Sequence, residues 1–120
     1  MVGMLGTMGM QEPSFFILTA IAGEPLHGYG VMRAVSDLSD GRLTLRAGTL
    51  YAALERLTED GLLAVDREEP VEGRLRRYYR LTDRGAAALE AETQRLRANA
   101  ALAAGRLRRH RAHPHPHPAV

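Results

Sequence analysis

The chain has 120 residues, a length that predicts one domain, and its sixteen basic and fourteen acidic side chains leave a net charge of +2. All basic residues except the histidines are arginine, and there is no cysteine, which excludes disulfides, thiolate metal sites and cysteine nucleophiles. The longest apolar stretch, Phe15 to Ala22, is far shorter than the roughly 20 residues of a membrane span. No signal peptide is recognisable, so we expect a cytoplasmic protein without a membrane partner.

The charge is distributed unevenly along the chain. The net charge is −2 over residues 1–45, zero over residues 46–81 and +4 over residues 82–120. Because most of the chain is not broadly basic, a nucleic-acid partner must be argued from the local placement of arginines.

Three helices are predicted in the first half, after a mobile extension over residues 1–11. The first begins at Pro13 and is apolar nearly all round, so it must be covered on more than one side. The second opens at His27, whose expected role is a cap or a packing contact, and carries apolar residues at helical spacing: Tyr29, Met32, Val35 and Leu38. The third runs from Arg46 to Asp60, with one apolar face: Leu50, Leu54 and Leu57.

Two short strands follow, Leu62 to Arg67 and Arg76 to Leu81, and the turn-forming, charged residues 68–75 between them predict a hairpin with a long tip. Alternation places Tyr79 on one face of the second strand and Tyr78 on the other, so we expect one tyrosine to pack on the core.

A long helix is predicted over residues 82–109, starting from an N-cap at Thr82. Its length of about 42 Å exceeds what the small domain covers, so it either pairs with a second copy or folds back over its own domain. The expected dimer interface is Phe16, Leu89, Leu96, Ala100, Ala103 and Leu107. Residues 110–120 form a predicted disordered tail, whose His113, His115 and His117 either bind a metal weakly or are simply solvated.

The predicted fold is mainly α with a small β hairpin: a winged helix-turn-helix domain over residues 12–81 and a C-terminal dimerisation helix. This plan holds its third helix where it can enter the major groove of DNA, while the hairpin reaches the neighbouring backbone or minor groove.

Several blocks between residues 13 and 90 closely resemble the PadR-like transcriptional regulators, named for repressors of the phenolic acid response. The blocks occur in the family's order: Pro25-Leu26-His27-Gly28-Tyr29, Gly41-Arg42-Leu43, Gly48-Thr49-Leu50-Tyr51, Leu57 with Gly61-Leu62, and Arg77-Tyr78-Tyr79-Arg80-Leu81-Thr82. The resemblance implies a homodimer formed through the last and first helices, and members that bind aromatic or drug-like compounds near that interface. The chain departs from the family where Arg46-Ala47 replaces Ser-Pro and Ala52 replaces proline.

The third helix carries four candidate DNA contacts. Arg46 opposes the helix dipole, so it is either a phosphate contact or a solvated arginine. Thr49 reaches a base edge or caps the helix, and Tyr51 reaches DNA or packs on the hairpin. Arg56 binds a phosphate or pairs with Asp60 one turn later.

In the hairpin the candidate contacts are Arg74, Arg76 and Arg77, which can bridge phosphates or enter a narrow minor groove. The competing interpretation is that they pair with the carboxylates of the same hairpin: Glu68, Glu69 and Glu72.

These features predict a homodimeric regulator, with repression as its expected mode of action, that binds double-stranded DNA at an inverted repeat. A small aromatic effector is expected to contact Phe15, Phe16, Ile17, Leu89 and Leu96, although core packing explains those residues equally well. The alternative is a winged-helix protein-interaction module without specific DNA binding, supported by the zero charge of residues 46–81. No catalytic set, metal-ligand spacing or cofactor motif is recognisable, so we expect no enzyme, metal or cofactor.

Overall fold

The computed structural model describes residues 9–113. In chain order its elements are α1 (Glu12–Gly23), β1 (Leu26–His27), α2 (Gly28–Leu38), α3 (Ala47–Glu59), β2 (Leu63–Val71), β3 (Arg74–Leu81) and α4 (Asp83–Ala112). The predicted order of three helices, a hairpin and a long helix is confirmed.

The first three helices enclose the core, and the sheet closes it with Leu63 and Tyr79. The leucine face predicted for α3 is confirmed, since all three leucines are buried, and α1 is buried on several sides, as its apolar sequence requires. The helix predicted at α2 is confirmed, but its apolar spacing does not coincide with its buried face, since Tyr29 and Leu38 are 60% and 52% exposed. The buried residues of α2 are Gly28, Val31 and Val35, because α2 packs against α1 and α3 along the face that carries them.

The sheet has three strands in the order β1–β3–β2, all antiparallel. The prediction of a long tip was wrong. The strands pair out to Val71 and Arg74, and the turn is only Glu72 and Gly73, with φ of 51° and 80°. Positive φ at both central positions suits a tight hairpin turn, and glycine adopts it without strain. The third strand, β1, was not predicted.

The hairpin and α4 meet closely at Gly85. Thr82 caps α4 as predicted, its hydroxyl accepting the N–H of Gly85 at 2.9 Å. A Cβ at residue 85 would overlap the carbonyl oxygen of Leu62, which itself accepts the N–H of Thr82. Only a glycine therefore lets the first turn of α4 lie against the start of the hairpin.

Both predicted ends of the chain differ from the structure where it describes them. Met10, expected in a mobile extension, packs against the core, and its N–H is held by the buried carboxylate of Glu92. Helix α4 continues to Ala112, three residues beyond its predicted end, because the helix-breaking prolines begin only at Pro114. The rest of both predicted segments, residues 1–8 and 114–120, lies outside the described residues.

Candidate nucleic-acid interface

The start of α3 presents two of the predicted contacts to solvent. Arg46 is the N-cap residue of α3, and both Arg46 and Thr49 are exposed. Within residues 9–113 no side chain caps this helix end and Thr49 forms no hydrogen bond there, so the alternative that Thr49 is the capping residue was wrong. Uncapped backbone N–H groups and an adjacent guanidinium suit an anion such as a phosphate.

Tyr51 lies between α3, the start of α2 and the hairpin. Its hydroxyl group rests against Gly28 so closely that a Cβ there would overlap the oxygen. The ring is still 51% exposed and shares a groove with Arg77 and Tyr79 of β3. The hydroxyl end of Tyr51 therefore packs on α2, a contact that was not predicted from the sequence, and the exposed part of the ring borders the groove beside the hairpin.

Arg56 takes a partner that the sequence did not indicate. Its Nη2 donates to the hydroxyl of Ser14 in α1 at 3.2 Å, and Ser14 is buried. The predicted pair with Asp60 does not form. Arg56 thus ties α3 to α1, and a phosphate contact would compete with this hydrogen bond.

The arginines of β3 divide between the two faces of the hairpin. Arg77 donates to Glu68 at 3.0 Å, as the competing interpretation expected. Glu69 lies opposite Arg76 but is held by Arg67 at 3.0 Å. Within residues 9–113, Arg74 and Arg76 form no salt bridge. Because side chains alternate along β3, both point to the strand face opposite that of Arg77.

A guanidinium and two stacked or edge-on rings connect the hairpin to the start of α2. The guanidinium of Arg67 lies 3.8 Å from the centre of the Tyr78 ring, whose edge meets His27 at 5.2 Å. His27 caps α2, as expected, because its Nδ1 accepts the N–H of Gly30 at 3.3 Å. Partial desolvation, together with nearby Arg76, lowers the pKa of His27, a direction that favours the neutral ring needed for this acceptor role.

Between these elements lies an open groove of about 650 Å³. One wall comes from the start of α2 together with Tyr51, and the other from the hairpin. Its lining residues are His27, Gly28, Tyr29, Tyr51, Glu68, Val71, Glu72, Arg74, Leu75, Arg76, Arg77 and Tyr79. The groove is therefore bordered by Tyr51 and by arginines from both faces of the hairpin: Arg77 from the face of Tyr79, and Arg74 and Arg76 from the other face.

The predicted dimer and effector residues fall into two groups. Phe16 and Leu89 pack against the core of their own chain, and Ile17 is completely buried in it. Phe15 is half-buried and meets Phe16 edge to face at 5.6 Å. The outer residues of α4 are exposed: Leu96, Ala100, Ala103 and Leu107. These outer residues have no covering element among residues 9–113.

Comparison with known proteins identifies the family. Residues 17–91 match the model of the transcriptional regulator PadR-like family. The chain belongs to this family. Transcriptional regulator Rv3488 of Mycobacterium tuberculosis is 40% identical over 80 residues, which make up 67% of this chain and 71% of that protein. The family and this relative are transcriptional regulators and not enzymes.

Two solved structures support the winged-helix fold. A PadR family transcription regulator from Clostridium difficile has a TM-score of 0.67 at 23% identity, covering 81% of this chain and 99% of that chain. Bacillus subtilis PadR, solved in complex with operator DNA, has a TM-score of 0.58 at 22% identity, covering 67% of this chain and 45% of that chain. The PadR-like winged helix predicted from the sequence is thus confirmed.

Two further predictions concern metals and membranes. Among residues 9–113 no three His, Asp or Glu side chains come together to hold a metal ion. Within the same range, no helix combines the length and the apolar character needed to cross a lipid bilayer.

Proposed function

We propose that this PadR-like regulator binds operator DNA as a homodimer and represses transcription by occupying the operator. The observation that carries this proposal is the pairing of an exposed, uncapped start of α3 with two hairpin arginines that lack an ion-pair partner in the described structure. In this arrangement α3 enters the major groove, and the hairpin reaches the adjacent backbone. Access to the chromosome agrees with the expected cytoplasmic location.

The proposed contacts are Arg46, Thr49, Tyr51, Arg74 and Arg76. Arg56 and Arg77, also predicted from the sequence, would first have to leave Ser14 and Glu68. The fold is the one that Bacillus subtilis PadR has in its complex with operator DNA. Two copies of α3 would enter successive major grooves about 34–36 Å apart, so an inverted repeat is the expected target.

The rival function, a protein-interaction module, is favoured by one observation. Carboxylates neutralise part of the hairpin, since Glu68 pairs with Arg77 and Glu69 with Arg67. A titration of the full chain against DNA from its own promoter and against scrambled duplex, at two salt concentrations, separates the two functions. We expect nanomolar, steeply salt-dependent binding to an inverted repeat. Equal affinity for both duplexes would contradict sequence-specific binding.

The proposed dimer uses the exposed outer half of α4. Leu96, Ala100, Ala103 and Leu107 recur at intervals of four, three and four residues, so they share one helix face. Leu96 and Leu107 are 41% and 50% exposed in the single chain. Pairing with a second copy removes this apolar face from water.

The double substitution Leu96→Glu and Leu107→Glu is expected to raise the dimer dissociation constant more than about 100-fold, since each buried leucine contributes about 1.5–3 kcal/mol. Sedimentation velocity over a concentration series measures this change. The control is Leu102→Glu, which alters a leucine that is 70% exposed and lies off the shared face. If the control dissociates as readily as the double variant, the proposed face is wrong.

An aromatic or drug-like effector that releases the operator is also proposed, with a site built between copies around Phe15, Phe16, Leu89 and Leu96. Ile17 is left out because its side chain is fully buried. The grooves of about 650 and 380 Å³ beside the hairpin do not include these residues, so the second copy would have to complete the site. A thermal shift series with phenolic compounds and planar cations tests it.

A further inference from the structure

The outward face of α3 has an unusual chemistry for a helix that reads DNA. Gly48, Ala52, Glu55 and Glu59 share this face, opposite the buried leucines, and all four are exposed. From Ala47 to Glu59, a range described in full, the helix has one basic side chain, Arg56, and that arginine is bonded to Ser14. The usual arginine–guanine contact is thus not offered by the body of this helix.

Glu55 is the carboxylate on this face that lies nearer to the start of α3. It lies one turn beyond Ala52 and, like Glu59 a turn later, borders the groove between α3 and the hairpin. Within residues 9–113 its carboxylate has no hydrogen bond or salt bridge. Arg77 lines the same groove, but its guanidinium is already bonded to Glu68. Glu55 therefore keeps its acceptor oxygens free for a ligand.

A carboxylate inside a groove lined by phosphates is unfavourable unless a donor satisfies it. In the major groove the exposed donors are the N4 amino group of cytosine and the N6 amino group of adenine. Adenine also presents its N7 acceptor beside the amino group, which repels a carboxylate, whereas the major-groove edge of cytosine offers only its donor. Cytosine is consequently the base that a free glutamate selects.

We propose that Glu55 is a specificity-determining residue that accepts a hydrogen bond from the N4 amino group of one cytosine in each half-site. This inference rests on the proposed DNA-binding function. The competing role for Glu55 is general repulsion, in which its charge keeps the second half of α3 out of the groove and reads no base.

The test compares the full chain with Glu55→Gln and with the matched control Glu59→Gln, which removes the same charge one turn later. Each protein selects duplexes from a randomised pool, and affinities are then measured on the selected site and on sites changed at single base pairs. We expect the wild type and Glu59→Gln to select the same cytosine, and its replacement to weaken wild-type binding at least about fivefold. Glu55→Gln is expected to lose this preference and to accept adenine there, because glutamine pairs with adenine.

The outcomes are distinct. If Glu55→Gln and Glu59→Gln both bind every duplex more tightly by a similar factor and select the wild-type sequence, Glu55 acts by repulsion and the inference is wrong. If the wild type selects a clear inverted repeat but shows no cytosine preference that depends on residue 55, the inference fails while the proposed function stands. If the wild type enriches no sequence, the proposed function itself fails.

Discussion

Replacement of Arg74 and Arg76 together by alanine is expected to weaken binding to specific and scrambled duplexes alike, by on the order of tenfold for each arginine. The reason is that both guanidiniums lack a salt-bridge partner within residues 9–113 and lie on the same face of β3. Removing one phosphate interaction makes the slope of log K against log salt shallower by about 0.9, so the double variant should be shallower by about 1.8. Fluorescence anisotropy titrations at four or five salt concentrations measure both quantities.

A charge-matched control is the double alanine variant of Arg108 and Arg109, near the far end of α4. It removes the same net charge at a distance from the hairpin, so we expect a smaller change in slope. An unchanged slope in the hairpin variant would instead favour the protein-interaction function, since only phosphate contacts release counterions in this way.

Gly85→Ala is expected to destabilise the folded protein by about 3 kcal/mol or more, because the added methyl group meets a backbone that cannot move aside easily. The new Cβ would overlap the Leu62 carbonyl oxygen and approach Leu81 Cδ1 to 2.8 Å. A loss of this size corresponds to a fall of more than about 10 °C in Tm. Urea and thermal denaturation at one protein concentration measure the effect.

The comparison variant is Gly105→Ala, in the exposed part of the same helix. A Cβ at residue 105 has its nearest neighbour, the Arg108 side chain, at an ordinary 3.7 Å. Alanine favours helix over glycine by about 1 kcal/mol, so this change should stabilise the protein slightly. If both variants behave alike, the close approach at Gly85 does not control how α4 joins the hairpin.

The elements that depend on local patterns were predictable from the sequence. The leucine spacing predicted α3 and its buried face, and the capping threonine predicted where α4 begins, because both signals involve only residues that are close in the chain. Alternation alone predicted that one of Tyr78 and Tyr79 would lie on the core side of β3, but it did not fix which one; the structure buries Tyr79. The winged-helix plan came from the family resemblance, because the helix periodicity of this sequence alone is common to many three-helix domains.

The errors arose where distant residues decide the outcome. Tyr29, Met32 and Val35 follow one another at intervals of three residues, but the position of α1 and α3 determines which side of α2 is covered. Arg56 pairs with Ser14, 42 residues away in the chain, and no local pattern indicates such a contact. The two-residue strand β1 exists only because β3 pairs with it, and so carries no pattern of its own.

The ion pairs within the hairpin could not be predicted from the sequence either. The carboxylates at 68 and 69 were recognised as competitors for the arginines, but their assignment depends on register. An irregularity between Val65 and Arg67 sets the register that brings Glu68 opposite Arg77 and Glu69 opposite Arg76. Arg67, two residues from Glu69 on the same strand, binds that carboxylate, and Arg76 is left without a salt bridge within residues 9–113.

The cap at His27 has a consequence for acidified cells. Arginine stays protonated at every pH a living cell reaches, so the cationic charge of the proposed interface is constant. The imidazole is different: its pKa is lowered in the folded chain, so the unfolded chain takes up protons first and this cap's contribution to stability declines as pH falls. Mild acid stress therefore lowers the stability of the folded chain through this cap and leaves the guanidinium charges unaltered.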